Sequence, residues 1–430
     1  MSLADRHASA RPVAILGGVR IPFCRSNTAY VEVGNLGLSI RTLGALVERF
    51  GLHDQRLGEV AMGAVIKHSS DWNLGREATL SSGLSPYTPG ITMQRACGTS
   101  LDTLVHIANK IALGQIEVGI GGGSDTTSDV PIAYGAKLRS RLLAAARARN
   151  TGGKLRAFAG FRLRELKPEF PGVAEPRTGQ SMGDHCEAMA KQWRIAREDQ
   201  DALALASHQK AAAAYERGFF TDLIAPFRGI ERDNNLRADS TLEKLAALKP
   251  AFDKASGQGT LTAGNSTPLT DGAAACLLAS EEWAKANGHE PMAYLRDAEV
   301  AAVDFVAGDG LLMAPTLAVP RLLERNGLTL QDFDFYEIHE AFAAQVLCTL
   351  RAWESDDYCR QQLGRGALGR IDPAKMNVVG SSLAVGHPFA ATGARIVATA
   401  AKLLKEKGGG RALISICTAG GMGVAAIVER

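Results

Sequence analysis

Residues 97–124 read CGTSLDTLVHIANKIALGQIEVGIGGGS, and residues 387–417 read HPFAATGARIVATAAKLLKEKGGGRALISIC. In the first stretch, apolar residues at Leu101, Leu104, Val105, Ala108, Ile111 and Ala112 follow helical spacing, and Gly114 supplies a stop. Val118 to Ile120 then predicts a strand ending in Gly121-Gly122-Gly123-Ser124. In the second, His387-Pro388 leads into a helix marked by Ile396, Val397, Ala400, Leu403 and Leu404, which Gly408-Gly409-Gly410 breaks. A strand from Ala412 to Ile416 follows and ends at Cys417. Two further runs echo one another: Gly272-Ala273-Ala274-Ala275-Cys276-Leu277-Leu278 and Gly423-Val424-Ala425-Ala426-Ile427-Val428. Each would close one half of an internal duplication, with Cys97 and His387 at matching helix starts. Short β-branched runs, the first at Val13 to Gly17, alternate with helical stretches, which predicts α/β architecture.

The 430 residues are enough for a large buried core in two or three domains. With 46% hydrophobic and 22% charged residues, neither wholesale disorder nor a fibrous repeat fits. A net charge of +3 is too small to argue for nucleic acid. One local asymmetry stands out, ten Lys or Arg against one acid from Lys137 to Lys167. It is either a solvated helical face or a surface for phosphates, a partner or anionic lipid. Seven cysteines, an odd number with no Cys-x-x-Cys pair, argue against a disulfide framework and a zinc ribbon and for a reducing, cytoplasmic setting. No apolar run is long enough for a membrane-spanning helix. Met1 to Arg11 is polar with Asp5 inside it, which disfavours a signal or transit peptide.

Cys97 stands in Gln94-Arg95-Ala96-Cys97-Gly98-Thr99-Ser100, immediately before a strongly amphipathic helix. A lone cysteine is commonly a small core residue. Here the free N–H groups and dipole of the helix favour thiolate over thiol, and Gly98 and Thr99 leave room for a substrate. His387, between Gly386 and Pro388, is the natural base for that thiol, because a neutral imidazole takes a proton near neutral pH. Cys417, followed by Thr418-Ala419-Gly420-Gly421-Met422-Gly423, adds a second sulfur beside backbone donors that could hold an oxyanion. His339-Glu340-Ala341-Phe342 completes the set; no metal is expected, since position 343 is alanine where a zinc motif needs histidine. Serine-hydrolase elbow, Walker loop and dinucleotide fingerprint are all missing.

Taken in order, these segments, with Gly264-Asn265-Ser266 and Asp271-Gly272-Ala273-Ala274-Ala275, resemble the thiolases, acetyl-CoA C-acyltransferases, over nearly the whole length. His339, where most of that family has asparagine, resembles the β-subunit type of fatty-acid oxidation complexes. So do Gly386-His387-Pro388-Phe389-Ala390-Ala391-Thr392-Gly393 and the Pro-rich Lys167 to Gly183.

The resemblance implies a thiolase-like duplicated fold, two pseudo-symmetric halves layered α/β/α/β/α, with an inserted, mostly helical loop domain. Its expected bounds are 1–125 and 254–282 for the N-terminal half, 126–253 for the insertion, and 283–430 for the C-terminal half. Within the insertion the clearest helices are expected from Met182 to Trp193 and from Glu198 to Arg217. The implied reaction is ping-pong cleavage of 3-ketoacyl-CoA by CoA in fatty-acid β-oxidation, through an acyl-Cys97 intermediate. Cys97, His339, His387 and Cys417 would be catalytic, and the Cys97 and Ala419 N–H groups would serve the oxyanion. Ala419 replaces the glycine of most relatives but keeps its N–H. Arg237 would flank the adenine of CoA, Phe252, Ala263 and Phe342 would line its pantetheine, and Thr267 stands where many relatives have serine. Ser181 replaces a histidine common in the family, so no CoA contact is carried over there. CoA is substrate, with no permanently bound cofactor. A homodimer or dimer of dimers is implied, with a hydratase/dehydrogenase α-subunit or a membrane surface as partner for the basic stretch. Two other readings are a biosynthetic acetoacetyl-CoA thiolase and a non-catalytic, lipid-binding relative; the latter would lack one or more of the four catalytic residues.

Overall fold

Period-two alternation along the strands decides which layer each side chain enters. A computed structural model describes residues 10–430; the polar opening around Asp5 lies mostly outside the described residues. The strands are β1 (Val13–Arg20), β2 (Cys24–Arg25), β3 (Glu59–Gly63), β4 (Gly90–Met93), β5 (Val118–Asp125), β6 (Ala133–Tyr134), β7 (Pro168–Glu169), β8 (Thr270–Ser280), β9 (Ala293–Ala302), β10 (Phe335–Ile338), β11 (Arg411–Thr418) and β12 (Met422–Glu429). On β8, Ala274, Cys276 and Leu278 face one core while Ala275, Leu277 and Ala279 face another. On β11, Ile414 and Ile416 turn inward to the core that holds Leu278, and Leu413 turns outward.

The sheet runs β10-β11-β12-β9-β1-β8-β5-β3-β4, with β2 paired beside β8. It shows the duplication directly. In one half β1 and β8 are antiparallel, β8 and β5 antiparallel, and β5 and β3 parallel. In the other, β9, β12, β11 and β10 repeat that series. The two half-sheets join edge to edge through the β1–β9 pairs Ala14 with Tyr294 and Ile15 with Ala293.

Helices Thr99–Ala112 and Thr392–Lys407 fill the space between the half-sheets, sharing a core of Leu101, Leu104, Ile107, Ile396, Val397 and Ala400. Helix Asn35–Phe50 covers the outer face of one half through Leu43 and Leu46, and helix Pro315–Asn326 that of the other through Leu322 and Leu323. The resulting order is α/β/α/β/α. The insertion is built on helices Ala136–Arg147, Thr151–Ala157, Met182–Gln192, Arg197–Glu216 and Leu242–Ala246.

Two local expectations need correction. The glycines after Ile120 do not end the strand, because β5 continues through them to Asp125. They are glycine because helices lie flush on that strand: a Cβ at Gly121 would sit 2.8 Å from Leu104 Cα, and one at Gly123 would sit 2.3 Å from Ala390 O. The matching helix starts also differ in detail. Cys97 lies two residues before its helix, whereas His387 is separated from its helix by the turn Phe389–Ala391, which follows the helix-incompatible Pro388.

Candidate active site

The nucleophile turn begins where β4 ends. Ala96 adopts φ +42°, a left-handed conformation that costs an alanine about 1 kcal/mol. Surrounding bonds hold it there. Arg95 N–H donates to Thr99 Oγ1 (2.8 Å), the Thr99 hydroxyl donates to Ala96 O (2.7 Å), and Gly98 N–H donates to Arg95 O (2.9 Å). Cys97 is thereby turned toward the second repeat.

The two central helices approach closely at their N-terminal ends, since a Cβ on Gly393 would lie 2.3 Å from Leu101 N. Ser100 Oγ accepts from Ala394 N–H (2.8 Å), and Asp125 accepts from Ala390 N–H (2.8 Å) and from the Val65 and Ile66 N–H groups. His387 is thus delivered to Cys97, with Nε2 3.0 Å from Sγ. Its Nδ1 lies 2.6 Å from Thr392 Oγ1, and its N–H donates to Thr270 Oγ1 (2.7 Å).

His339 follows β10 and packs its ring 4.2 Å, centroid to centroid, from that of His387. Its Nδ1 lies 2.9 Å from Ser382 Oγ, and Nε2 has no partner among the described residues. Cys417 is buried at the end of β11. The turn after it places the positive φ values at Gly420 and Gly421 and not at residue 419, which is why alanine fits there. The backbone N–H groups of Ala419 and Cys97 favour the Cys97 thiolate, though less than burial disfavours it. Glu175, brought by the insertion, accepts from Gly420 N–H (2.8 Å) and ties that turn down.

Burial outweighs the helix dipole at Cys97, so the expected thiolate is not favoured. Burial pushes the Cys97 thiol from its ordinary 9.0 up to about 12 despite those two N–H groups. That is about 4 kcal/mol against the thiolate, whereas a helix terminus supplies about 0.3–1 kcal/mol. His387 is held down to about 3 by burial, with Arg395 adding to the effect, and His339 also lies well below the ordinary range for the same first reason. Cys417 is raised well above its ordinary value by burial and then by Cys97. Both shifts favour a neutral S–H···N contact over a thiolate–imidazolium pair.

Cys97, His339 and His387 each offer a ligand atom within 4.8 Å of the others. That donor set suits a soft divalent cation, but ligation would occupy both the nucleophile and its base.

Of the residues expected at CoA, Phe252 and Phe342 meet edge to face, centroids 6.1 Å apart, and Phe342 shares an apolar cluster with Cys417, Cys186 and Leu261. Thr267 packs beside them and donates both its N–H (3.1 Å) and its hydroxyl (3.0 Å) to Ala341 O. Ala263 and Arg237 lie on the exposed surface, the Arg237 N–H bound to His208 Nδ1 (3.2 Å). Ser181 caps helix Met182–Gln192 in a reciprocal box with Asp184. Thr392, Ser382, Arg395, Asp125 and Glu175 were not singled out from sequence; the first two lie within or just before the Gly386 to Gly393 motif, and the others carried no local signal.

Family models for the thiolase N-terminal domain and the thiolase C-terminal domain match residues 13–282 and 289–430. A 3-ketoacyl-CoA thiolase from Yersinia pestis (strain Pestoides F) is 43% identical over 424 residues, 97% of this chain and 96% of its own length. One from Yersinia pseudotuberculosis serotype O:3 (strain YPIII) matches to the same extent. Among solved structures, the acetyl-CoA acetyltransferase of Bacillus anthracis superposes with a TM-score of 0.81 at 32% identity, covering 98% of this chain and 99% of that one.

Proposed function

The chain belongs to the thiolase family, and from that premise we propose that it is a 3-ketoacyl-CoA thiolase, an acyltransferase of fatty-acid β-oxidation that uses CoA as substrate. One observation carries the chemistry: a cysteine thiol 3.0 Å from a neutral, buried imidazole, at a site where the second sulfur is Cys417. In this reading His387 takes the Cys97 proton as sulfur attacks the 3-keto carbon. The oxyanion collapses, the bond between C2 and C3 breaks, and the acetyl-CoA enolate takes a proton from Cys417. CoA, its thiol proton passing to Cys417, then attacks the acyl-Cys97 thioester; the Cys97 sulfur leaves and regains its proton from His387 as an acyl-CoA two carbons shorter is released. Backbone donors at Cys97 and Ala419, and His339 beside His387, face the places where negative charge develops; each aimed donor is worth about 3–4 kcal/mol.

The test is thiolysis of 3-ketoacyl-CoA substrates from short to long chain, with mass analysis of Cys97 after incubation with an acyl-CoA. Turnover across chain lengths with an acyl adduct on Cys97 is expected. Activity confined to acetoacetyl-CoA would instead favour the biosynthetic reading, which the likeness to the Bacillus anthracis acetyl-CoA acetyltransferase keeps open. An absent adduct would leave only the non-catalytic reading.

We read 1–125 with 254–282 as one half, 126–253 as the insertion and 283–430 as the other half; the pairing of β8 between β1 and β5 supports joining the first two segments. Phe252, Phe342 and Thr267 are the better-supported CoA contacts, and Arg237 and Ala263 would meet the cofactor-sized substrate at the surface. A homodimer or dimer of dimers is proposed because β4, the last strand of the sheet, leaves an outer edge for a second copy. No helix of the described residues is long and apolar enough to cross a membrane; a cytoplasmic setting rests on seven free, buried cysteines.

For the basic stretch we propose docking of an α-subunit or a membrane surface. Leu142, Leu143, Leu155 and Leu163 are exposed among its arginines. Arg141 is spoken for, since it binds Glu165 (2.7 Å) and the carbonyls of Ala157 and Ala159. The variant that tests docking therefore neutralises Arg139, Arg147 and Arg149 only, and unchanged co-purification and vesicle binding would refute it.

A further inference from the structure

His339 Nε2 is buried beside the Cys97–His387 pair and has no hydrogen-bond partner among the described residues. What it can do there depends on whether it carries a proton, and the bonds on the far side of the ring decide that. Nδ1 lies 2.9 Å from Ser382 Oγ. Ser382 Oγ also receives Arg395 Nη2 at 2.8 Å, while Arg395 Nη1 reaches Ser381 Oγ at 3.2 Å. A guanidinium only donates. The Ser382 oxygen therefore spends a lone pair on Arg395, and its own proton needs an acceptor, for which the partner in hand is His339 Nδ1.

The reverse arrangement, with Nδ1–H donating to Ser382, would leave the serine proton unpaired in the interior, which is costly. A doubly protonated ring would do the same, and burial, with His387 and Arg395 nearby, already holds His339 far below its ordinary range. Arg395 stays charged at neutral pH, since burial lowers it only to about 10. A neutral imidazole that accepts at Nδ1 carries its proton at Nε2.

We propose that Arg395 and Ser382 are positioning residues that lock His339 in the Nε2–H tautomer, so that the ring presents an N–H donor to the oxygen that becomes negative at Cys97, directly or through one water. This deepens the thiolase reading and rests on it for the identity of that oxygen. The tautomer itself does not depend on the reaction.

The experiment has two arms. In the ligand-free protein labelled with ¹⁵N-histidine, long-range ¹H–¹⁵N correlation, with His339 assigned by its loss in His339→Asn, reads the tautomer directly. Nε2–H is expected from neutral to mildly alkaline pH, retained in Ser382→Thr and lost or mixed in Ser382→Ala. In the kinetic arm, Ser382→Ala lowers kcat of thiolysis about tenfold with KM little changed, and Ser382→Thr restores it. In a His339→Asn background, where an amide supplies an N–H without any tautomer to fix, the same Ser382→Ala change costs less than about twofold. An Nδ1–H signal in the wild-type protein, or an equal loss in both backgrounds, overturns the proposal. If Ser382→Ala does not fold, the wild-type tautomer still decides it. A protein with the Nε2–H signal but no thiolysis would sink the functional reading and leave the tautomer lock standing.

Discussion

Replacing Gly393 by alanine asks whether the close approach of the two central helices sets the distance between nucleophile and base. The new Cβ would lie 2.3 Å from Leu101 N and 2.8 Å from Leu101 Cβ. Comfortable contact needs about 3.5 Å, so the helices must part by about 1 Å, and both sides of that contact are helix backbone or buried core. Cys97 and His387 precede those helices by only a few residues. Their 3.0 Å contact would open to about 4 Å, beyond hydrogen-bonding range. Overpacking of this kind costs about 1–3 kcal/mol, a fall of a few degrees in Tm for a chain of this size. The kinetic loss should be larger, about 100-fold in acylation of Cys97. Quenched-flow mass analysis of Cys97 acylation, alongside thermal unfolding, measures both. Gly152→Ala is the control, because a Cβ there meets only Asn150 Oδ1 at 3.7 Å. A folded Gly393→Ala protein that acylates at the wild-type rate would refute the reasoning.

Cys417→Ser should still transfer an acyl group to Cys97 from a saturated acyl-CoA but lose most carbon–carbon cleavage, since a hydroxyl is too weak an acid; cleavage at the wild-type rate would remove the role given to Cys417. With Cys97 pushed up to about 12, its thiolate fraction at pH 7 is about 10⁻⁵. Alkylation of the free protein by iodoacetamide should therefore rise about tenfold per pH unit through the alkaline range, whereas a plateau near neutral pH would reveal a resting thiolate–imidazolium pair. Glu175→Ala removes the acceptor for Gly420 N–H and should lower kcat about tenfold through a looser Ala419 donor; unchanged turnover would show that the glycine turn holds itself.

The duplication was readable because both halves use the same spacing of apolar residues, and central strands and helices must keep that spacing to fill two cores at once. Which way β11 faces was not readable, because Leu413, turned outward, and Ile414, turned inward, are both apolar and both buried. The four candidate site residues stood out for a different reason: Cys97 lies between Ala96 and Gly98 and His387 between Gly386 and Pro388, while His339 follows β10 and Cys417 lies near the end of β11. What failed was electrostatics. Sequence shows the helix that follows Cys97 but not the depth at which the sulfur lies, and depth reverses the expected charge state. Ser382, Arg395 and Glu175 failed for distance, since Arg395 looks like any polar residue on a helix face until Ser382 is folded against it, and Glu175 meets Gly420 from far away in the chain.

A resting thiol that resists ionisation suits this site better than a thiolate would. If burial disfavours each isolated charge, the proton cannot leave Cys97 ahead of the reaction; it moves to His387 as sulfur bonds to carbon, and the imidazolium appears only when an oxyanion appears beside it. In the proposed mechanism the two charges would form as a close pair, and the Ala419 and Cys97 N–H groups and the His339 ring would stabilise the negative member. The same reasoning settles why a strongly raised Cys417 is no obstacle. Its proposed task is to protonate a carbon enolate, a stronger base than a thiolate, so a thiol raised by burial can still serve, whereas a serine hydroxyl raised by the same burial would be a much poorer proton donor. Burial raises both sulfurs, so what separates their proposed duties is the imidazole: Cys97, 3.0 Å from His387 Nε2, is read as the nucleophile and Cys417 as the acid.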